Sequence, residues 1–597
     1  MATQDTHTNR LTQSSQETGM KNISRTSPRV AISFAVALLA LLTIASPMMA
    51  AQGMKAQGTT QQSVQKPKPP NHPPSLLAAE AKMSDGVKAR ARLASHSDMV
   101  DVIVQYNSPP GLSESTRSAS LGATSKRDYE HFRMKALNVP AQALHGLAKG
   151  NRVTFVSLDV PVETSSLAAK QTANLPGAGT NQILVPSQSI AVAVLDSGID
   201  HGDVYTSRRI NIIPSYYECD ELVKGQCTEW EQSKDPWGHG THVGGIISGR
   251  GGFYDGYLGV APKANLIDIR VLDEVGRGNV SDVIAGLDWV LSYHNTLGIR
   301  IVNMSLGKAV EDNAANDPLV QAVEEVWDAG IVVVCSAGNY GRDGNFSITS
   351  PGNSPKVITV GSITDRGTGT DFSDDFPSTY SSRGPTLFDH YLKPDLLAPG
   401  NRLIAPTAED SGLWEELPDR RVDCNSYCID DEYLELSGTS MAAAMVSGTA
   451  LLMLSADPTL KPDDVKARLM RSARKIAGDP TTVGAGVLDI EAALAENGSP
   501  TAAPSPQMNR SEEGPVILVE NTSITWGGEE WDAGFMWSDG FMWSDGFMWS
   551  DGYIWPDGFM WSDGFMWSDG FMWSDSVQND DPLLDLEANS VVLDDDN

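Results

Sequence analysis

Residues 190–200 read IAVAVLDSGID, six apolar residues followed by an acidic, glycine-containing turn. A run that short and wholly apolar, rich in valine, predicts a strand buried on both faces rather than a half-exposed one. Outward from it the same texture recurs at Asn265–Val271, Ile299–Met304, Ile331–Ser336 and Lys356–Val360. Helix-period stretches, Ser281–His294 and Leu319–Ala329 among them, lie between several of these runs. This alternation, over residues 185–495, predicts a three-layer α/β domain: a parallel sheet with helices on both faces. Sheets of that kind carry their sites at the carboxyl ends of the strands. Asp196 stands at such an end.

The chain of 597 residues is too long for one core, and its net charge of -32 excludes a general nucleic-acid binder. Much of that charge is local: residues 501–597 hold 20 acidic residues against the single basic Arg510. Val30–Ala45 is an uncharged apolar run preceded by Lys21, Arg25 and Arg29 and followed by Ala50 and Ala51. It predicts an export signal over 1–50, with a retained anchor as the alternative and Met20 as a second candidate start. Residues 51–95 read as a Gln/Pro/Lys linker. Residues 96–167 form a small α+β unit, with strands at Met99–Tyr106 and Arg152–Val160 and a helix-like stretch over Tyr129–Lys149. A Pro/Ser/Thr/Ala linker (498–533), seven hexapeptides of the GFMWSD type (534–575) and an acidic tail (576–597) complete the chain.

Four blocks carry chemistry. Asp196 closes IAVAVLD, His239 lies in DPWGHGTHVGG, Asn339 in CSAGNYG after an apolar strand, and Ser440 in LSGTSMAAAM at the start of an apolar helix. Each alone has a bland reading: a turn Asp, a structural His, a turn Asn, an N-cap Ser. Together they supply what acyl transfer needs: a hydroxyl nucleophile, a base, and a carboxylate that fixes the imidazole tautomer. A side-chain amide at Asn339, with the backbone N–H of Ser440 at a helix start, would hold negative charge on a carbonyl oxygen.

In the order Asp, His, Asn, Ser, the blocks VLDSGID, GHGTHVGG, SAGN and SGTSMA resemble the subtilisin (S8) peptidases. Further matches are LGVAP at 258–262, NMSLG at 303–307, SPGNSPKVITVGS at 350–362, YSSRGP at 380–385 and KPDLLAPG at 393–400. The resemblance implies a subtilisin-like fold and a serine endopeptidase acting on protein or peptide substrates. It implies a catalytic role for His239, with His242 structural, and backbone pairing of an extended substrate with Ser305, Leu306, Gly307, Ala337 and Gly338. Thr349 and Ser350 would edge the main pocket. It also gives the 96–167 unit a meaning, a propeptide that inhibits the enzyme and is cut off between about Glu163 and Ser187. Where the family usually has Pro-His after the nucleophile, this chain has Ala444 and Met445; Pro is optional in a first helical turn, so the change implies only altered packing. Catalysis requires no cofactor. Structural calcium finds no clear site, because SGRGGFYDGY holds a single carboxylate, Asp255.

Secretion makes Cys219 with Cys227, and Cys424 with Cys428, disulfide candidates, with a metal site as the weaker alternative. Cys335, inside IVVVC, reads as a buried thiol. The Asp-Gly junctions and Trp rows of the repeats suit a β-coil that binds a cell surface or polysaccharide, or an unstructured tail. The rival reading of the whole chain is a surface or matrix-binding protein with a vestigial peptidase domain.

Overall fold

The computed structural model describes residues 74–93, 98–164, 167–168, 189–200, 204, 206–211, 235–250, 257–262, 264–366, 372–422, 432–476, 478–500, 502–510 and 517–519. The expected export signal, the four disulfide-candidate cysteines, Asp255, the repeats and the acidic tail lie outside the described residues.

The small unit begins earlier than its composition suggests. Helices α1 (Pro74–Glu80) and α2 (Asp85–Leu93) lie within the stretch read as linker, and Ala79, Met83 and Val87 are buried in the unit's core. The Pro/Lys-rich texture ends at Pro74, and the apolar residues after it belong to the fold. Strand β1 (Met99–Tyr106), helix α3 (Leu112–Ser120), strands β2 (Thr124–Asp128) and β3 (Met134–Pro140), helix α4 (Leu144–Ala148) and strand β4 (Val153–Leu158) follow. They build an antiparallel sheet of order β2-β3-β1-β4.

Of the helix expected over Tyr129–Lys149, Met134–Pro140 is instead the strand β3, and the helical part is Ala141–Ala148, a 3-10 turn running into α4. The physical reason is that this sheet is buried on both faces. Val102, Val104, Leu137 and Val139 point into the unit's own core, while Ile103, Met134 and Ala136 join the core of the larger domain. With both faces apolar, the alternation that marks a strand disappears.

After β5 (Pro161–Thr164) and β6 (Leu167–Ala168) the large domain opens with β7 (Ala191–Asp196), every residue of which is buried. Its elements continue as β8 (Thr206–Asn211), α5 (His239–Ser248), β9 (Asn265–Arg270), β10 (Arg277–Asn279), α6 (Val280–Leu297), β11 (Ile299–Met304), β12 (Leu306–Gly307), α7 (Pro318–Asp328), β13 (Val332–Ser336) and β14 (Ile358–Thr364). Then come β15 (Phe376–Pro377), β16 (Leu396–Pro399), β17 (Leu403–Pro406), α8 (Gly412–Glu416), β18 (Tyr433–Ser437), α9 (Thr439–Ala456) and α10 (Pro462–Ser472). The main sheet runs β15-β14-β13-β11-β7-β9-β8, with β16 also on β14, and all but β15 are parallel.

Helices cover both faces. Leu266 of β9 meets α5 at Gly244, whereas Ile269, of opposite parity on the same strand, meets α6 at Gly286. Helix α9 is 18 residues long and apolar enough to cross a membrane, yet 89% of it is buried inside the protein. It is the central core helix.

The C-terminal boundary also moves. Ala503 and Ser505 are buried, and the Ser505 hydroxyl donates to Asp395 at 2.6 Å. Asp395 forms a fully buried cluster with Lys393 (2.7 Å) and Lys466 (3.3 Å). The linker reading of 498–533 therefore fails over 502–507. Small residues such as Ala and Ser in a Pro-rich stretch give no sign in sequence that they fill an interior.

Candidate active site

The parallel register brings the chemistry-bearing residues to one rim. Asp196 is the last residue of β7, Ser305 follows β11, and Asn339 lies three residues beyond the end of β13. His239 opens α5 and Ser440 is the second residue of α9, and these two helices pack together.

The loop into α5 folds as it does because Gly238 takes φ +91°, a conformation side chains resist, with Ser411 and Thr407 crowding the place of a Cβ. Gly240 lets the two motif loops touch: a Cβ there would collide with the Gly198 carbonyl. His239 Nδ1 lies 2.7 Å from Asp196 Oδ1, with the residues 0% and 1% exposed. The same Oδ1 accepts the Ser197 N–H at 2.8 Å. His239 Nε2, the other ring nitrogen, has no partner among the described residues. His242 faces away, its Nε2 3.1 Å from the Leu434 carbonyl, and burial pushes its pKa down to about 3.

Ser440 is held by Ser305 from both ends. Its hydroxyl donates to the Ser305 carbonyl at 3.2 Å, and the Ser305 hydroxyl donates to the Ser440 carbonyl at 2.9 Å. Behind Ser305 the relay continues: Asn303 Nδ2 donates to Ser305 Oγ at 3.0 Å, and Ser447 Oγ donates to Asn303 Oδ1 at 2.8 Å. The oxygen of the Asn339 amide accepts from the N–H and the hydroxyl of Thr439, each at 3.1 Å. That fixes which end of the amide is occupied and leaves its NH2 as the end that can meet a substrate oxygen.

Three residues that the sequence reading passed over support this frame. Asp235, four residues before His239, is buried. Its Oδ1 accepts from Ser197 Oγ and Gly238 N–H, and its Oδ2 from Thr241 N–H and Oγ, all at 2.8 Å. Burial, with Asp196 adding to it, raises the Asp235 pKa despite those donors. Ser197 bridges the two carboxylates, and Thr439 clamps Asn339. Only the position of Asp235, at the head of the DPWGHGTH block, hinted at any of them.

Leu306 and Gly307 pair antiparallel with Thr164 and Glu163 of β5. Ala337 and Gly338 do not pair with β5, because their backbone groups are already engaged by Val360, Thr349, Thr439 and Ser382. The other neighbour of β5 is β10, which the sequence reading missed. Thr349 packs against both Gly307 and Gly338. Cys335 is buried and free, and burial pushes its thiol up to about 12, so it is inert here.

A model of the Peptidase_S8 subtilase family matches residues 187–486, half of the chain. The serine protease AprX of Bacillus subtilis is 35% identical over 365 residues, covering 59% of this chain and 77% of that protein. Subtilisin E of the same species is 29% identical over 383 residues, covering 62% and 83%. Among solved structures, fervidolysin from Fervidobacterium pennivorans, a keratinolytic enzyme related to subtilisin, superposes with a TM-score of 0.52 at 21% identity, covering 68% of this chain and 62% of its own, and shows the fold. The chain belongs to the subtilase family and is a subtilisin-type serine endopeptidase.

Proposed function

We propose that Ser440 is the nucleophile, His239 the general base and then acid, Asp196 the group that orients it, and Asn339 with the Ser440 N–H the oxyanion donors. The observation that carries this reading is the buried 2.7 Å contact between Asp196 and His239. With Nδ1 bound to a carboxylate, the imidazole keeps its proton there and offers Nε2 as the base. Ser440 Oγ attacks the scissile carbonyl and passes its proton to Nε2, and the amine leaves with that proton. Water then reverses the sequence on the acyl-enzyme. Ser440 stands in the first turn of α9, at the positive end of the helix dipole, which suits its N–H to the developing oxyanion. No step in this sequence draws on a cofactor, and structural calcium keeps no assigned ligands.

The enzyme is read as a secreted precursor, exported by the 30–45 apolar run. The 74–164 unit acts as an inhibitory propeptide. That role is supported by the sheet face it lays on the peptidase, where Arg127 meets Asp282 at 2.6 Å and the Glu130 and His131 N–H groups reach Asp288 at 2.9 and 2.7 Å. The Trp-rich 534–575 repeats are assigned to binding a cell surface or polysaccharide. The test of the catalytic roles is labelling by a fluorophosphonate alongside casein hydrolysis. Wild type should label and hydrolyse, and Ser440→Ala should do neither. Equal labelling of both would refute the assignment of the nucleophile.

A further inference from the structure

Trp237 lies in the loop that leads into α5, two residues before His239, and takes no part in the steps assigned above. Two glycines make room for its indole. A Cβ on Gly276 would lie 2.5 Å from Nε1, and a Cβ on Gly412 would lie 2.5 Å from the ring carbon Cε3. The loop backbone is fixed as well, since the N–H groups of Gly412 and Leu413 donate to the Pro236 and Trp237 carbonyls at 2.8 and 3.0 Å. The indole N–H is a donor and nothing else. It donates to Thr164 Oγ1, on strand β5, at 3.4 Å.

Strand β5 lies between β10 and β12 and pairs antiparallel with both, Thr164 standing opposite Leu306 and Glu163 opposite Gly307 and Arg277. Carried one step further, that register sets the next residue of any strand laid on β12 opposite Ser305, whose carbonyl receives the Ser440 hydroxyl. A substrate in this register therefore has its acyl residue opposite Ser305, and the residue just before it takes the place of Thr164. Backbone pairing is blind to side chains, so selectivity falls to the groups that reach them. Arg277 reaches Glu163 only at 3.7 Å, with the two side chains 52% and 34% exposed, and an ion pair of that kind contributes little. Trp237 is the stronger candidate.

From this placement we infer that Trp237 is a specificity-determining residue, whose indole N–H selects a hydroxyl side chain, Thr or Ser, on the substrate residue that precedes the acyl residue. This rests on the reading of Ser440 as nucleophile. The favoured substrates are extended peptides with a hydroxyl residue at that place. Thr against Val is the clean comparison, because the two side chains share a shape and differ in the hydroxyl. In a sealed site, a substrate lacking the expected hydroxyl is rejected by about 10⁴-fold or more, since the protein's own polar group is stranded. Trp237 is only partly buried, so the N–H left by Val meets water. The discrimination is then that of one ordinary hydrogen bond, about 3–10-fold.

The experiment measures kcat/KM for two acyl-tetrapeptide p-nitroanilides that differ only in Thr or Val before a constant acyl residue. The enzyme is the active form obtained by expressing the full chain, as wild type, Trp237→Phe and Ser440→Ala. Wild type should prefer the Thr peptide by about 3–10-fold, and Trp237→Phe, which keeps a ring and loses the N–H, should bring the ratio to about 1. A wild-type ratio at or below about 1 would overturn the inference by itself, whether or not Trp237→Phe folds. A Trp237→Phe enzyme that slows on both peptides by the same factor, keeping the wild-type ratio, would overturn it too and leave Trp237 a packing residue. Hydrolysis of both peptides by Ser440→Ala at the wild-type rate would instead remove the nucleophile reading, and the Thr-to-Val ratio would still decide the role of Trp237.

Discussion

Replacing Asp235 by alanine removes a carboxylate that touches no substrate and should still abolish most of the turnover. The carboxylate accepts four donors at 2.8 Å: the N–H groups of Gly238 and Thr241 and the hydroxyls of Ser197 and Thr241. The hydroxyls can rotate to other acceptors, but the two backbone groups cannot. Leaving each unpaired in the interior costs roughly 1–3 kcal/mol. Against that, burial is the largest influence on this carboxyl and raises its pKa, so its removal relieves some desolvation. The net loss should be roughly 2–4 kcal/mol, seen as a fall of about 3–6 °C in Tm for a domain of about 300 residues. Activity should suffer more. Gly238 and Thr241 bracket His239, and a shift of about 1 Å in a catalytic group costs about 10²-fold. The assay is hydrolysis of a small chromogenic peptide, with kcat and KM resolved separately and Tm measured on the same samples. We expect kcat to fall about 10²-fold with KM changed by less than about threefold, the pattern of a lost transition-state interaction. A variant with lowered Tm but wild-type kcat would refute the positioning role.

Two further predictions concern stability. His242 is neutral in the fold, with its pKa down to about 3 from 6.5, so its contribution is intact above pH 6.5 and is lost as the pH falls toward 3. The loss approaches 1.36 kcal/mol per pH unit and totals roughly 5 kcal/mol. Urea midpoints between pH 7 and 4 should fall more steeply for wild type than for His242→Asn, and parallel slopes would contradict this. Truncation after Asn497 removes Ser505 from the buried Lys393–Asp395–Lys466 cluster and should destabilise the domain by about 3–5 kcal/mol. Truncation after Val519 should leave stability and small-peptide hydrolysis unchanged while altering retention on cells or polysaccharide. Loss of small-peptide activity in that second truncation would make the repeats part of the folded peptidase.

Much of this architecture was legible because its signals are local. The strand that ends in Asp196 is an unbroken apolar run, and the glycines around His239 permit the backbone close approach that the motif needs. The C-terminal-end rule then placed Asp196 and Asn339 on one rim before any contact was known. What stayed hidden was set by packing between distant parts. Strand β3 looked helical because its two faces enter two different cores. Ser505 looked like linker because its acceptor, Asp395, lies 110 residues away. Asp235 and Thr439 act by holding groups beside His239 and on Asn339, through both backbone and side-chain hydrogen bonds, and no residue pattern announces that. The place of β5 between β10 and β12 depends on how 161–164 meets two strands far away in sequence, and no local pattern marks it.

The central claim is that Ser440 performs the chemistry while Asn339 only stabilises its transition state. The direct test is the residual peptidase rate of purified Ser440→Ala and Asn339→Ala, each prepared free of wild-type contamination. Loss of the oxyanion donor should lower kcat by about 10²–10³-fold, and loss of the nucleophile by far more. The account predicts a measurable remnant in Asn339→Ala and none above background in Ser440→Ala. Equal residual rates in the two variants would contradict it.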